Sequence, residues 1–143
     1  MTVYPALFEP AQEGGFVVRF PDFGYGVTQG DTESEAREMA SDLLGCLIGD
    51  CIAAGTELPP PSAHSGSLTR MVQPSASVAA KAELYAAFRS AGIRKDELAD
   101  RLRVSATSID RLFDVRYASQ IDQLESAFRA MGKGMSIAIR DAA

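Results

Sequence analysis

A break in the middle of this chain constrains its fold more than any other feature. Residues 56–67 read Thr-Glu-Leu-Pro-Pro-Pro-Ser-Ala-His-Ser-Gly-Ser. Three consecutive prolines fix φ and remove three backbone donors, so this stretch neither propagates a helix nor pairs inside a sheet. A short apolar segment, Leu68 to Val72, follows with β-branched Thr69 and Val72, and Gln73-Pro74-Ser75 then interrupts the chain again. The segment is predicted to be a strand returning to the first unit's sheet, which divides the chain into units at 1–73 and 74–143.

The two units carry different periodicities. Val3–Phe8, Gly15–Phe20 and Tyr25–Gln29 are short, rich in β-branched and aromatic residues, and punctuated by Glu13-Gly14-Gly15 and Asp22-Phe23-Gly24. They predict a meander of three antiparallel strands. Asp31-Thr32 then caps a helix whose Glu33, Glu35 and Glu38 suit its positive end. Ala36, Met39, Ala40, Leu43, Leu44, Leu47, Ile48, Cys51 and Ile52 recur at helical spacing as one apolar face until Gly55. After the break the pattern is helical throughout. Helices are predicted from a Ser77 cap to Ala91, over Lys95–Leu102, over Ser105–Phe113 and over about Ser119–Met131, where Gly132 stops the last, with Ile121, Leu124, Phe128 and Met131 buried. The expected class is α+β: a small antiparallel sheet with one long helix, followed by an all-α helix-turn-helix domain.

Composition excludes several alternatives. With 46% hydrophobic and 23% charged residues among 143, the chain is neither disordered, collagenous nor a disulfide scaffold. No apolar run approaches the roughly 18–20 residues that span a bilayer, and MTVYPALFEP lacks the pattern of a signal peptide, so a cytoplasmic protein without a membrane partner is expected. Cys46 and Cys51 lie five apart on one helix, where their side chains point about 140° apart; free, buried thiols are expected. The net charge of −5 is unevenly spread. Residues 1–73 hold 3 Lys/Arg against 10 Asp/Glu, whereas residues 74–143 hold 11 against 9. The first half suits a basic protein partner and the second can approach a phosphate backbone.

The segment Lys95–Asp114 is the most informative stretch. Ala99 is the small residue that lets two helices cross closely; Leu98, Leu102, Val104, Ile109 and Leu112 supply core positions on both sides of the turn; and Ser105 can cap the second helix. Arg103 occupies the turn position where such motifs usually carry glycine, which implies either a different turn or a strained one. The competing reading is a plain helical hairpin. Read as a DNA-binding helix-turn-helix, the second helix places Ser105, Ala106, Thr107 and Arg111 near base edges, with Arg111 suited to guanine, while Arg94 and Lys95 hold phosphates. Asp110 and Asp114 lie close to that face and oppose DNA, so a homodimer or higher homo-oligomer is expected, because tethered heads add avidity. The tail Met135-Ser-Ile-Ala-Ile139 alternates apolar with small or polar residues and can pair as a strand across subunits or fray.

The order of these elements resembles the HicB family of type II antitoxins. The most specific marks are Tyr4-Pro-Ala-Leu-Phe-Glu9, Gly15-Phe-Val-Val-Arg-Phe-Pro-Asp22 and Gly26-Val-Thr-Gln-Gly-Asp-Thr-Glu-Ser-Glu-Ala36, with residues 79–133 similar to the helix-turn-helix tail of one branch. The resemblance implies a partial ribonuclease H-like first unit, a HicA-type toxin (a small basic ribonuclease) as partner, and repression of its own operon through operator DNA. A toxin-binding surface including Glu9, Glu13, Phe20, Asp22, Phe23 and Tyr25 is expected. The alternative is a solitary HicB-like regulator that kept the fold without a toxin.

Catalytic and cofactor chemistry finds little support. Enzymes of the ribonuclease H-like fold gather several carboxylates around two metal ions. Here the strands offer only Glu9 at one end and Asp22 in a turn, so no enzyme, metal or cofactor is expected. The lone His64 sits in the flexible linker without a second ligand at metal spacing. Gly14-Gly15 and Gly24-x-Gly26 read as hairpin turns, since neither leads from a strand directly into a helix as a phosphate loop does.

Overall fold

The computed structural model describes residues 2–142. Three strands, β1 (Tyr4–Pro10), β2 (Phe16–Arg19) and β3 (Thr28–Gly30), precede the long helix α1 (Glu33–Ala54), and β4 (Thr69–Val72) follows the proline segment. All pairings are antiparallel in the order β3-β2-β1-β4, so β4 returns to the free edge of β1. The register sets Phe8 opposite Val18 and Tyr4 opposite Val72, which places them on one face of the sheet. That face is buried with Ala36, Ala40, Leu44, Leu47 and Ile48 of α1.

The first strand pair and the returning strand stand where the sequence predicts them, shifted by a residue or two. β3 does not: the expected strand from Tyr25 begins only at Thr28. Gly24 and Gly26 adopt positive φ of 76° and 87°, and that turn holds Tyr25 out of the ladder. In α1, Thr32 Oγ1 accepts the Glu35 N–H at 3.1 Å and Gly55 closes the helix in the left-handed conformation. Two expectations for α1 fail, one for its apolar face and one for buried thiols. Met39 is 40% exposed, and Cys46 is exposed with Cys51 only half-buried, because the buried stripe runs through Leu44, Gly45, Leu47 and Ile48 instead.

Four helices complete the chain: α2 (Ala76–Ala91), α3 (Lys95–Leu102), α4 (Ala106–Leu112) and α5 (Ile121–Ala130). Ser75, not Ser77, caps α2, its hydroxyl accepting the Val78 N–H directly after Pro74. At α5 the cap is Gln120, whose N–H donates to Gln123 Oε1, and Ile121 is 55% exposed rather than buried, because Leu124, Ala127 and Phe128 define the inward side. The tail forms no strand within the chain. Met135 packs on the core, Ile137 and Ile139 are exposed, and Arg140 hydrogen-bonds Gln73 Oε1.

The hydrophobic core does not stop at residue 73. One continuous cluster joins Tyr4, Leu44 and Ile52 to Leu84, Leu98, Ile109 and Leu124. α1 meets the second stretch closely enough that a Cβ on Gly49 would lie 2.7 Å from Val115 Cγ2. The proline segment, expected to be flexible, is strapped to this core. Tyr4 Oη donates to the Pro59 carbonyl at 2.7 Å, the Ser62 N–H donates to Asp22 Oδ2 at 2.9 Å, and Tyr85 Oη donates to the Thr56 carbonyl at 2.8 Å. Burial pushes the Tyr4 phenol up to about 12.

Candidate functional site

The turn between α3 and α4 is built as a Schellman close: the Arg103 N–H donates to the Asp100 carbonyl and the Val104 N–H to the Ala99 carbonyl. Arg103 sits at φ 56° and ψ 46°, the left-handed region, so of the two expected turns the strained one is present. For a residue with a Cβ this conformation costs roughly 1–2 kcal/mol. Leu98, Ile109 and Leu112 are buried as their spacing predicts, with Ala99 buried between the helices, but Leu102 is half-buried and Val104 is exposed, and Ser105 caps α4 by accepting the Ser108 N–H at 3.2 Å. Ala106 and Thr107 are exposed on the first turn of α4.

The basic residues here are mostly paired. Arg94 Nε donates to Asp96 Oδ1 at 3.0 Å, which holds the Asp96 carboxyl below its usual range. Lys95 Nζ lies 3.3 Å from Asp110 Oδ1 and 5.8 Å from the centre of the Phe113 ring. Arg111 stacks over Tyr117 with 5.0 Å between guanidinium and ring centre, one helical turn after Thr107 near the end of α4.

Sequence reasoning missed Lys81. It is fully buried, and its ammonium donates to the carbonyls of Arg111 at 2.9 Å, Asp114 at 2.7 Å and Tyr117. These acceptors include the Arg111 carbonyl at the C-terminal end of α4, where a cation is favoured. Burial lowers the lysine's proton affinity, while Asp114 opposes that shift. The available signal was its place on the apolar face of α2 with Val78, Ala82 and Tyr85.

In the first half the expected surface does not assemble as one patch. Phe20 is only 1% exposed and belongs to the core, and half-buried Phe23 packs on Tyr4 and Phe20 with ring centres 4.9 Å and 6.4 Å away. Asp22 is engaged by the Ser62 N–H, and Tyr25 Oη donates to Asp50 Oδ2 at 2.9 Å. Glu9 and Glu13 are exposed at the opposite end of the β1–β2 pair. The larger acidic feature is on α1, where Glu35, Glu38, Asp42 and Asp50 are all exposed. At 100° per residue they fall within about 120° of arc, with exposed Met39 and Cys46 among them. Like charges this close cost an isolated helix a few tenths of a kcal/mol per pair, roughly 0.2–0.5.

An open cleft of about 630 Å³ separates this side of α1 from the end of α4, lined among others by Asp42, Asp50, Lys95, Asp110 and Arg116. Among the described residues, no group of three or more His, Cys, Asp or Glu side chains is arranged to hold a metal ion, and no helix is long and apolar enough to cross a membrane.

A family profile described as HicB_like antitoxin of bacterial toxin-antitoxin system matches residues 3–83. The protein named Antitoxin HicB from Escherichia coli (strain K12) is 37% identical over 134 residues, covering 94% of this chain and 96% of that protein. Antitoxin HicB 1 from Photorhabdus laumondii subsp. laumondii is 34% identical over 136 residues, covering 95% and 86%. A chain of the solved structure titled Toxin-Antitoxin complex from Streptococcus pneumoniae matches at 32% identity with a TM-score of 0.43, over 50% of this chain and 67% of that one. This chain belongs to the HicB-like antitoxin family of bacterial toxin–antitoxin systems.

Proposed function

We propose that this protein neutralises a small basic ribonuclease toxin of the HicA type through its first half and represses its own operon by binding DNA through α3 and α4. Family membership supports the antitoxin role. The observation that carries the toxin assignment is the exposed acidic arc of α1, Glu35, Glu38, Asp42 and Asp50, extended by Tyr25 on Asp50. A surface that retains mutually repelling acids is stabilised by a cationic partner. Phe20 lies too deep to take part. Reversing two charges, with Glu38→Lys and Asp42→Lys together, is expected to weaken capture of the toxin at least tenfold and leave the melting temperature near that of the wild type. Unchanged capture by the folded variant moves the toxin surface elsewhere.

The DNA assignment rests on the spacing of Ala99, Ser105, Ile109 and Leu112 with exposed Ala106 and Thr107 at the start of α4. In this reading α3 and α4 form a helix-turn-helix whose second helix lies in the major groove. Residues 74–143 form the DNA-binding unit and residues 1–73 the toxin-binding unit. Because Arg94 and Lys95 are already paired with carboxylates, one head supplies little net charge. The protein acts as a homo-oligomer in which two heads share one operator. Mobility shifts with the protein's own promoter test this: a shift that requires oligomer supports it, and no shift at low salt contradicts it.

A further inference from the structure

Every positive-φ position among the described residues is a glycine except one. Gly14, Gly15, Gly24, Gly26, Gly55, Gly92 and Gly132 hold the others, and Arg103 holds the turn between α3 and α4. A glycine there would make the same backbone bonds without the Cβ strain, so folding alone gives no reason for an arginine. Packing gives none either, since Arg103 is exposed and belongs to no part of the hydrophobic cluster. Strain at one residue whose side chain makes no compensating contact points to a role for that side chain.

The surroundings say which role. Arg94, Lys95, Arg101 and Arg116 are each bound to a carboxylate, with Asp96, Asp110, Glu97 and Asp114 respectively. Arg103 pairs with no carboxylate among the described residues, and the backbone N–H groups of the turn are already engaged. It is thus an available guanidinium two residues ahead of Ser105, on the stretch whose balance is basic. A guanidinium is matched in geometry and charge to a phosphate.

We propose that Arg103 binds a DNA phosphate beside α4, adding sequence-independent affinity at the expense of backbone strain; this rests on the DNA-binding reading of α3 and α4. The turn then anchors the head on the duplex while the exposed residues of α4 read bases.

The test uses the full chain with Arg103→Gly and Arg103→Lys, a duplex from upstream of its own coding sequence, and a scrambled duplex. Anisotropy titrations over a salt series give affinity and salt slope, and melts report the fold. Arg103→Gly should bind both duplexes at least tenfold more weakly, with a log–log salt slope shallower by about 0.9 for each head on the duplex. It should melt no lower than the wild type and up to about 3 °C higher. Arg103→Lys, which keeps the charge, should stay within about threefold of the wild type. A folded Arg103→Gly with unchanged affinity and slope overturns the proposal and leaves the DNA reading standing. A wild type that binds neither duplex at low salt overturns the DNA reading itself, and Arg103 falls with it. Melting clearly below the wild type contradicts the strain premise.

Discussion

Tyr4 ties the first strand to the proline segment through one hydroxyl, and its chemistry sets a pH dependence. Its folded pKa is raised above 10.0, to about 12, so between those values the folded state holds a proton the unfolded chain has released. Stability falls with rising pH across that window and is fully present below it. Tyr4→Phe removes the hydrogen bond to Pro59, at a cost of about 1 kcal/mol at neutral pH, and makes urea-melt stability flatter from pH 10 to 12. Equally steep profiles for the two proteins would rule this linkage out. Asp110 carries a second prediction at this scale. On the proposed DNA-binding reading, Asp110→Asn releases Lys95, so binding to all duplexes should tighten several-fold with a salt slope steeper by up to about 0.9 for each head on the duplex, measured by the same anisotropy titration. Single residues were legible where backbone chemistry or a short spacing decides them, as at Thr32, Ser105 and the strained Arg103. Lys81, Phe20 and Tyr25 were not, because their partners lie 25 or more residues away, or belong to a core whose faces only the assembled sheet defines.

α3 has the bounds the sequence predicts and α4 lies one residue inside its predicted ends, whereas α2 starts from a Ser75 cap two residues earlier than expected. β3 shortened because two left-handed glycines outweigh the aromatic and β-branched content of Tyr25 and Val27. What no periodicity could show is how α4 is held. Lys81 of α2 satisfies three carbonyls at and beyond the end of α4, and Val115 seats the following turn against Gly49 of α1. Lys81→Met keeps the stem's bulk but removes the buried cation from those carbonyls, leaving those of Arg111 and Asp114 only their backbone N–H partners, which should cost about 1–3 kcal/mol. Urea unfolding measures it. A loss under about 0.5 kcal/mol, of the size typical for surface sites, would mean that the clamp contributes nothing.

Across the whole molecule, residues 56–67 separate a sheet-and-helix stretch from a return strand and four helices, but they are not the flexible linker that the sequence suggests. The tethers at Pro59, Ser62 and Thr56 and the continuous core join both stretches. Cutting at residue 73 uncovers apolar side chains on both pieces, so toxin capture belongs in an assay of the full chain. The charge asymmetry between the halves needed no structure to be seen; what the structure adds is that Glu35, Glu38, Asp42 and Asp50, four of the ten acids, stay exposed along one arc of α1. Electrostatic steering predicts an association rate with the toxin that falls steeply as salt rises. The most direct test of the proposed neutralisation is RNA cleavage by a small basic ribonuclease toxin of the HicA type, with and without one equivalent of the full-length protein. Cleavage is expected to stop at about one-to-one stoichiometry and to return when Glu38 and Asp42 are reversed to lysine. Undiminished cleavage at excess of the folded wild-type chain, with no complex formed, would contradict the account.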